Sequence, residues 1–335
     1  MPDADKPKIA ALLPHTGTYG GVRRYIEMGN QFARRGYDYA IYTPEGNPPG
    51  WIEYKAATKP LSRIQADAPD IIICGDVGLL PRFVKMKARL KIMNLLGSRF
   101  ADKYRRHLRD DTVVAGNSIE WKEYLPDVEG RTIAGGVNPD IFRPLGLPRT
   151  DDAFRVMCFG RKSKKYKGTE TVVRAFRRLR PRKAFRLVMF DNRRFNKPWF
   201  VHGENHWGLT QMQLATLYNM ADVFVSAEYG AGWSNTSAEA MACRIPVICT
   251  KSGTQDFAIY EQTALVIPFD SPLAIAEAIY RLKEDTSLRK RIAEAGWEKI
   301  REFTWEHVCD KFEALFAEKG LINQDRQVKG SDPFS

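Results

Sequence analysis

Apolar residues along this chain fall into short runs that alternate with stretches of helical spacing. From Lys8 the sequence reads KIAALLP, a run closed by proline, then HTGTYGG, then VRRYIEMGNQFARRG, whose apolar positions recur every three to four residues up to Gly36. This pattern predicts strand, glycine loop and helix. YDYAIYTP alternates as a second strand, and DIIICGD after Pro69 has the continuous apolar character of a strand buried on both faces. LKIMNLL and DTVVAGN repeat the theme, with a helix predicted over Ser118 to Leu125. Strands alternating with helices predict a parallel sheet covered on both sides.

The rhythm breaks at GGVNPDIFRPLGLPRT, Gly135 to Thr150, where glycine and proline concentrate. A second series follows: FRVMCFG as a strand, Thr169 to Leu179 as an amphipathic helix, AFRLVMF as a strand and MQLATLYNM as a helix. ADVFVSAEY and IPVICT read as further strands, with SAEAMAC as a helix between them. Beyond Asp256 the pattern is helical over Leu273 to Lys283, Ser287 to Phe303 and Trp305 to Lys319. The reading is therefore α/β, with a first Rossmann-like domain over 1–147, a second over 148–304, a last helix over 305–322 and a frayed tail over 323–335. Two such halves in tandem make the cleft between them the natural site.

Composition narrows the function without choosing it. At 335 residues, with 44% hydrophobic and 27% charged, the chain has the balance of a two-domain globular protein. No run of 18 apolar residues occurs and Met1 to Lys8 is polar, so a cytoplasmic protein is expected. The five cysteines, Cys74, Cys158, Cys243, Cys249 and Cys309, show no C-x-x-C pair and read as reduced core thiols, not metal ligands. A net charge of +12 suits phosphates, an anionic lipid surface or nucleic acid. No RNP, zinc-finger or K-homology pattern is present and the basic residues are spread over both halves, which argues against a nucleic-acid partner.

Three constellations carry candidate chemistry. Gly20 and Gly21 stand just before a helix, where a glycine loop lets backbone approach a ligand and the helix N-terminus offers free N–H groups to an anion; a tight turn asks for the same glycines. In GRKSKKYKG, Arg161 and Lys167 lie at the carboxyl end of a predicted strand, a place where cations suit a diphosphate. No Walker pattern accompanies them. In EYGAGWSNTSAEAMAC, the small residues Gly232, Ser234, Asn235, Thr236 and Ser237 run into a helix whose second turn carries Glu239, a carboxylate suited to paired ribose hydroxyls. Asp76, after the DIIICG strand, and His15 are acceptor-side candidates, although a loop-capping role also fits Asp76.

Taken together, GGVRRYIEMGNQFARRGYD, IAGGVNPDIFRP, FGRKSKKYKGTETVVRAF, LATLYNMADVFVSAE, SAEAMACRIPVICTKSGTQDF and TALVIPFDSPLAIAEAI, in that order, resemble the family four retaining glycosyltransferases of the GT-B fold. The resemblance implies two Rossmann-like domains facing across a cleft, with the last helix from Trp305 crossing back to the first domain. It implies a nucleotide-sugar donor and a glycan, lipid-linked or small-molecule acceptor. It places Gly21 against the donor, Arg161 and Lys167 on the diphosphate, backbone N–H groups of Asn235 and Thr236 on the same phosphates and Glu239 on the ribose. It implies no cofactor and no divalent metal, since the only D-x-D pair is Asp3 to Asp5.

Two departures from the family pattern stand out. The family pairs glutamates as E-x(7)-E, which puts Ala231 where the first belongs, with Glu228 the nearest carboxylate. A histidine beside the donor sugar is replaced by Leu95 or Leu96 in IMNLLGS. Either Glu228 substitutes by a local shift, or the sugar is held differently, or the chain is a silent sugar-nucleotide-binding subunit. Finally, Arg82, Lys85, Lys87, Arg89 and Lys91, interleaved with Phe83, Val84, Met86 and Leu90 and soon followed by Arg99, Lys103, Arg105, Arg106 and Arg109, form a basic, partly apolar stretch suited to an anionic glycan or to peripheral contact with an anionic membrane at its inner face.

Overall fold

The short apolar runs become the strands of two parallel sheets. The computed structural model describes residues 6–148, 152–161, 164–194 and 203–323. The first sheet holds β1 (Ile9–Leu12), β2 (Tyr39–Thr43), β3 (Ala57–Pro60), β4 (Ile71–Cys74), β5 (Leu90–Leu95), β6 (Thr112–Gly116) and β7 (Gly130–Thr132) in the order β3-β2-β1-β4-β5-β6-β7. The second holds β8 (Phe154–Phe159), β9 (Phe185–Asp191), β10 (Gly203–Trp207), β11 (Val223–Ser226), β12 (Val247–Cys249) and β13 (Leu265–Val266) in the order β10-β9-β8-β11-β12-β13. Each sheet reverses its strand order beside its first strand, with Ile9 level with both Tyr39 and Ile71, and Val156 level with both Leu187 and Val223. Ligands of open parallel sheets bind at the carboxyl ends of strands on either side of that switch point.

Continuous apolar strands arise because both faces are covered. In β1, Ile9 and Ala11 pack with Tyr25, Ile26 and Phe32 on one face, while Ala10 and Leu12 pack with Leu80, Phe83 and Trp121 on the other. The last helix, Trp305–Glu318, joins the first of these clusters: Phe312 and Phe316 lie 6.4 and 5.9 Å from the ring of Phe32, and Thr304 caps the helix by accepting from the His307 N–H at 3.2 Å. It thus crosses from the second lobe back to the first, as the resemblance implies. Burial of each such ring stabilises by roughly 1.5–3 kcal/mol.

The fold is α/β of the GT-B kind. Predicted strands β1, β2, β4, β5, β6, β8, β9, β11 and β12 appear, whereas β3, β7, β10 and β13 were not anticipated. The helix expected over Ser118 to Leu125 contracts to Trp121–Tyr124. All five cysteines are buried and free. Lys91, counted in the basic stretch, is instead buried in β5, its ammonium 2.7 Å from Asp111 Oδ2 and donating to the Val84 carbonyl. Most of the tail beyond Gly320, residues 324–335, lies outside the described residues. Among the described residues no helix is long and apolar enough to cross a membrane.

Candidate active site

A cleft of about 220 Å³ lies between the two sheets at the carboxyl ends of their strands. Its first wall comes from the loop after β1 and the helix Gly20–Arg34, with Tyr19, Gly20, Gly21, Arg23 and Arg24, and from the segments after β4 and β5, with Asp76, Leu96 and Arg99. Its second wall comes from the loop after β8, with Arg161, Lys164, Tyr166 and Lys167, and from the segment after β11, with Glu228, Ala231, Gly232, Trp233, Asn235, Thr236 and Glu239.

Local sequence shapes both second-wall loops. Gly168 sits at φ +64, and a Cβ there would come within 2.0 Å of the Ala227 carbonyl, so only glycine lets the loop after β8 turn against the end of β11. That turn brings the Lys167 ammonium to 2.6 Å from Glu228 Oε1. Arg161 reaches back to the end of β9, where its Nε lies 2.9 and 2.8 Å from the two carboxylate oxygens of Asp191. Gly232 runs against the first lobe, and a Cβ on it would meet the Leu96 carbonyl oxygen at 2.4 Å. Here small size, not backbone angle, is what the position requires.

Three cations of the cleft therefore face three buried acids. Arg161 meets Asp191, Lys167 meets Glu228, and Arg23 from the first lobe forms an ion pair with Glu239 of the second. Glu239 is 3% exposed and also accepts from the Tyr218 hydroxyl at 3.2 Å. Burial pushes its carboxyl above the ordinary range, with Arg23 the strongest opposing influence. Glu228 is 2% exposed; its Oε1 takes Lys167 and a long contact from Thr236 at 3.4 Å, while its Oε2 is buried with no hydrogen-bond partner among the described residues. An unpartnered buried carboxylate oxygen is costly unless something else supplies a donor.

The structure brings nine of the twelve sequence-derived candidates to the cleft. Gly20, Gly21, Asp76, Arg161, Lys167, Glu228, Asn235, Thr236 and Glu239 line the cleft. Asp76 also accepts from the Gly78 and Leu79 N–H groups, so the loop-capping role is real. Ser234 and Ser237 stand behind the wall, fully buried, with the Ser234 hydroxyl donating to that of Ser237 at 2.9 Å; Ser234 is the residue before the helix Asn235–Ala242, but its side chain turns inward. His15 is exposed and outside the cleft lining, its Nδ1 taken by the Gly17 N–H. Of the two leucines, Leu96 lines the cleft and Leu95 is fully buried, and Ala231 lines it at the first-glutamate position. Counted strictly by lining, then, nine of the twelve meet at the cleft, and Ser234, Ser237 and His15 do not.

Sequence reading missed Arg23, Asp191, Tyr218, Lys164 and the aromatic pair Tyr19 and Tyr166 as cleft residues, and placed Arg99 only in the basic stretch of the first domain. Asp191 alone had a local signal, since it ends the AFRLVMF strand where ligands of parallel sheets gather. Two further acids tie the lobes beside the cleft. Glu120 accepts from the Gly253 N–H at 2.8 Å and Asp256 from the Ile119 N–H at 3.1 Å, and burial pushes both carboxyls up.

The second lobe carries the decisive match: residues 153–285 fit the family model for glycosyl transferases group 1. This lobe is similar to that family. The chain is similar to D-inositol 3-phosphate glycosyltransferase of Corynebacterium diphtheriae, 23% identical over 230 residues, which cover 60% of this chain and 54% of that protein. It thus spans about half the length of that relative. Among solved structures it resembles sucrose-phosphate synthase from Thermosynechococcus elongatus, with a TM-score of 0.76 at 19% identity over 93% of this chain and 99% of that one. It also resembles HepE of Anabaena in complex with UDP and glucose, with a TM-score of 0.74 at 14% identity over 93% and 99% of the two chains. Both structures share the two-lobed fold of this chain.

Proposed function

We propose that the protein is a retaining glycosyltransferase that moves a hexosyl or deoxyhexosyl group from a nucleotide sugar to a glycan, lipid-linked or small-molecule acceptor, without a divalent metal. The observation that carries this reading is the group 1 match over the very lobe whose Arg161, Lys167, Glu228 and Glu239 converge on the cleft. The UDP and glucose named for the Anabaena structure support the donor class. The place of work is the cytoplasm, with the exposed Arg82, Lys85 and Lys87 available to an anionic inner membrane face.

In this reading Arg161 and Lys167 face the donor diphosphate, and the N-terminus of the helix Asn235–Ala242 adds backbone N–H groups from Asn235 and Thr236. Asp191 and Glu228 hold the two cations in place beforehand, so that little reorganisation accompanies reaction. Glu239 binds the ribose hydroxyls once Arg23 has left it, and the free Oε2 of Glu228 accepts a hydroxyl of the donor sugar. As the bond from the anomeric carbon to the β-phosphate oxygen breaks, its electron pair stays on the phosphate. The acceptor hydroxyl oxygen bonds to the anomeric carbon on the same face, and its proton passes to the leaving phosphate. Leu96, a group that cannot titrate, on the first wall is compatible with that proton route.

The test is turnover of Arg161→Ala and Lys167→Ala on the donor that the parent protein consumes from UDP-, GDP-, ADP- and dTDP-sugars. Loss of one preorganised donor to the leaving group lowers the rate by about 100- to 1000-fold. Turnover of the parent is expected to survive a chelator. Parental kinetics in both variants would remove the two cations from the mechanism.

A further inference from the structure

We propose that the mouth of the cleft carries a second anion subsite, built by Arg99 and Lys164, that takes a phosphate monoester on the acceptor. This rests on the glycosyltransferase reading above. Arg23, Arg161 and Lys167 each have a buried acid partner. Arg99, from the first lobe, and Lys164, from the second, have no carboxylate within ion-pair distance among the described residues. Aromatic groups hold them instead. The Arg99 guanidinium donates to the Tyr19 hydroxyl at 3.2 Å and lies 4.2 Å from the centre of the Tyr166 ring, while the Lys164 ammonium lies 4.3 Å from the centre of the Tyr19 ring.

Two cations drawn from opposite walls onto one pair of tyrosines repel each other, and burial and the neighbouring cations Arg161, Lys167 and Arg99 all act to lower the proton affinity of Lys164. Arg24 adds to the same potential from within. It is 2% exposed, lines the cleft and gives all its hydrogen bonds to neutral oxygens, those of Asn94, Asn117, Ile133 and Ala134. A dianionic phosphate monoester answers both surface cations at once, with Arg99 supplying a planar pair of donors and Lys164 a point charge. The donor diphosphate already has Arg161, Lys167 and a helix N-terminus. The anion at the mouth therefore belongs to the other substrate.

The experiment titrates protein first with UDP, GDP, ADP and dTDP, then, with the nucleotide that binds at saturation, with glucose, mannose and their 1- and 6-phosphates. The expected result is that at least one phosphate ester binds at least about tenfold more tightly than its parent sugar, ~1.4 kcal/mol. Arg99→Ala and Lys164→Ala each remove about that factor from the ester, Arg99→Lys removes less, and nucleotide affinity in these variants stays within about twofold. Esters that bind no better than their parent sugars, with nucleotide binding intact, overturn this proposal alone. Losses of equal size for nucleotide and ester overturn it by moving both cations into the donor clamp. Failure of all four nucleotides to bind the parent protein removes the donor reading, and this proposal with it.

Discussion

Replacing Arg23 by alanine strikes the one ion-pair partner, among the described residues, of a carboxylate that is 3% exposed. Glu239 would keep the Tyr218 hydroxyl at 3.2 Å and the more distant charge of Lys167. Breaking a buried ion pair from one side costs about 3–5 kcal/mol, because the remaining charge is left uncompensated. Arg23 is 16% exposed at its side chain and water can follow it into the cleft, so the lower end, about 3 kcal/mol, is the expected loss at pH 8. The loss depends on pH with a definite sign. Burial raises the carboxyl of Glu239 above 4.5 in the folded protein, so between the unfolded and folded values the folded state holds more protons, and its stability falls as pH rises through that window. Without Arg23 the folded value climbs further and the window widens upward. Urea unfolding of the parent, Arg23→Ala and Arg23→Ala/Glu239→Gln at pH 5 and pH 8 measures this. The single variant should lose most at pH 8 and recover at pH 5, and the double variant, with no charge left to bury, should regain most of the loss at pH 8. An equal loss at both pH values, or no relief from Glu239→Gln, would refute the reasoning.

Gly232→Ala would set a Cβ against the Leu96 carbonyl across the cleft and force the lobes apart by about 1 Å, a misplacement that costs roughly 100-fold in turnover; parental kinetics would show that the loop yields instead. Phe312→Ala, in the last helix against Phe32, should cost about 3–5 kcal/mol in denaturant unfolding, and a loss below about 1 kcal/mol would mean that the helix is not anchored there. The exposed Arg82, Lys85 and Lys87 should give sedimentation with phosphatidylserine vesicles at low salt that disappears at high salt, each cation adding about 1 kcal/mol; equal sedimentation with neutral vesicles would contradict an electrostatic contact.

The architecture was legible where burial is two-sided. KIAALL, DIIIC, LKIMNLL and FRVMCF carry continuous apolar runs because helices cover both faces of the strands they form. The strands that escaped notice lack such a run or are very short. ATKP, GRT and GENHW, at or near sheet edges, are half-exposed and polar, and the last element of the second sheet is two residues, Leu265–Val266. Their identity comes from a neighbour's free backbone edge, which no local pattern encodes. The site divides the same way. Arg161, Lys167 and Glu239 stand out as charges at strand and helix ends, but the acids and bases that neutralise them are 30, 61 and 216 residues away. The inward turn of Ser234 and Ser237 was equally hidden, since a residue type suited to capping says nothing of which wall its side chain faces.

The most direct test of the central claim is the product anomer. Each of UDP-, GDP-, ADP- and dTDP-sugar is incubated with the protein and a panel of neutral and phosphorylated sugars, and proton NMR reports nucleoside diphosphate release together with the configuration of the new glycosidic bond. Release from one donor, with the anomeric configuration of that donor kept in the product, is the predicted result. An inverted product, or no turnover of any donor by protein that binds its nucleotide, would contradict the assignment of a retaining transferase.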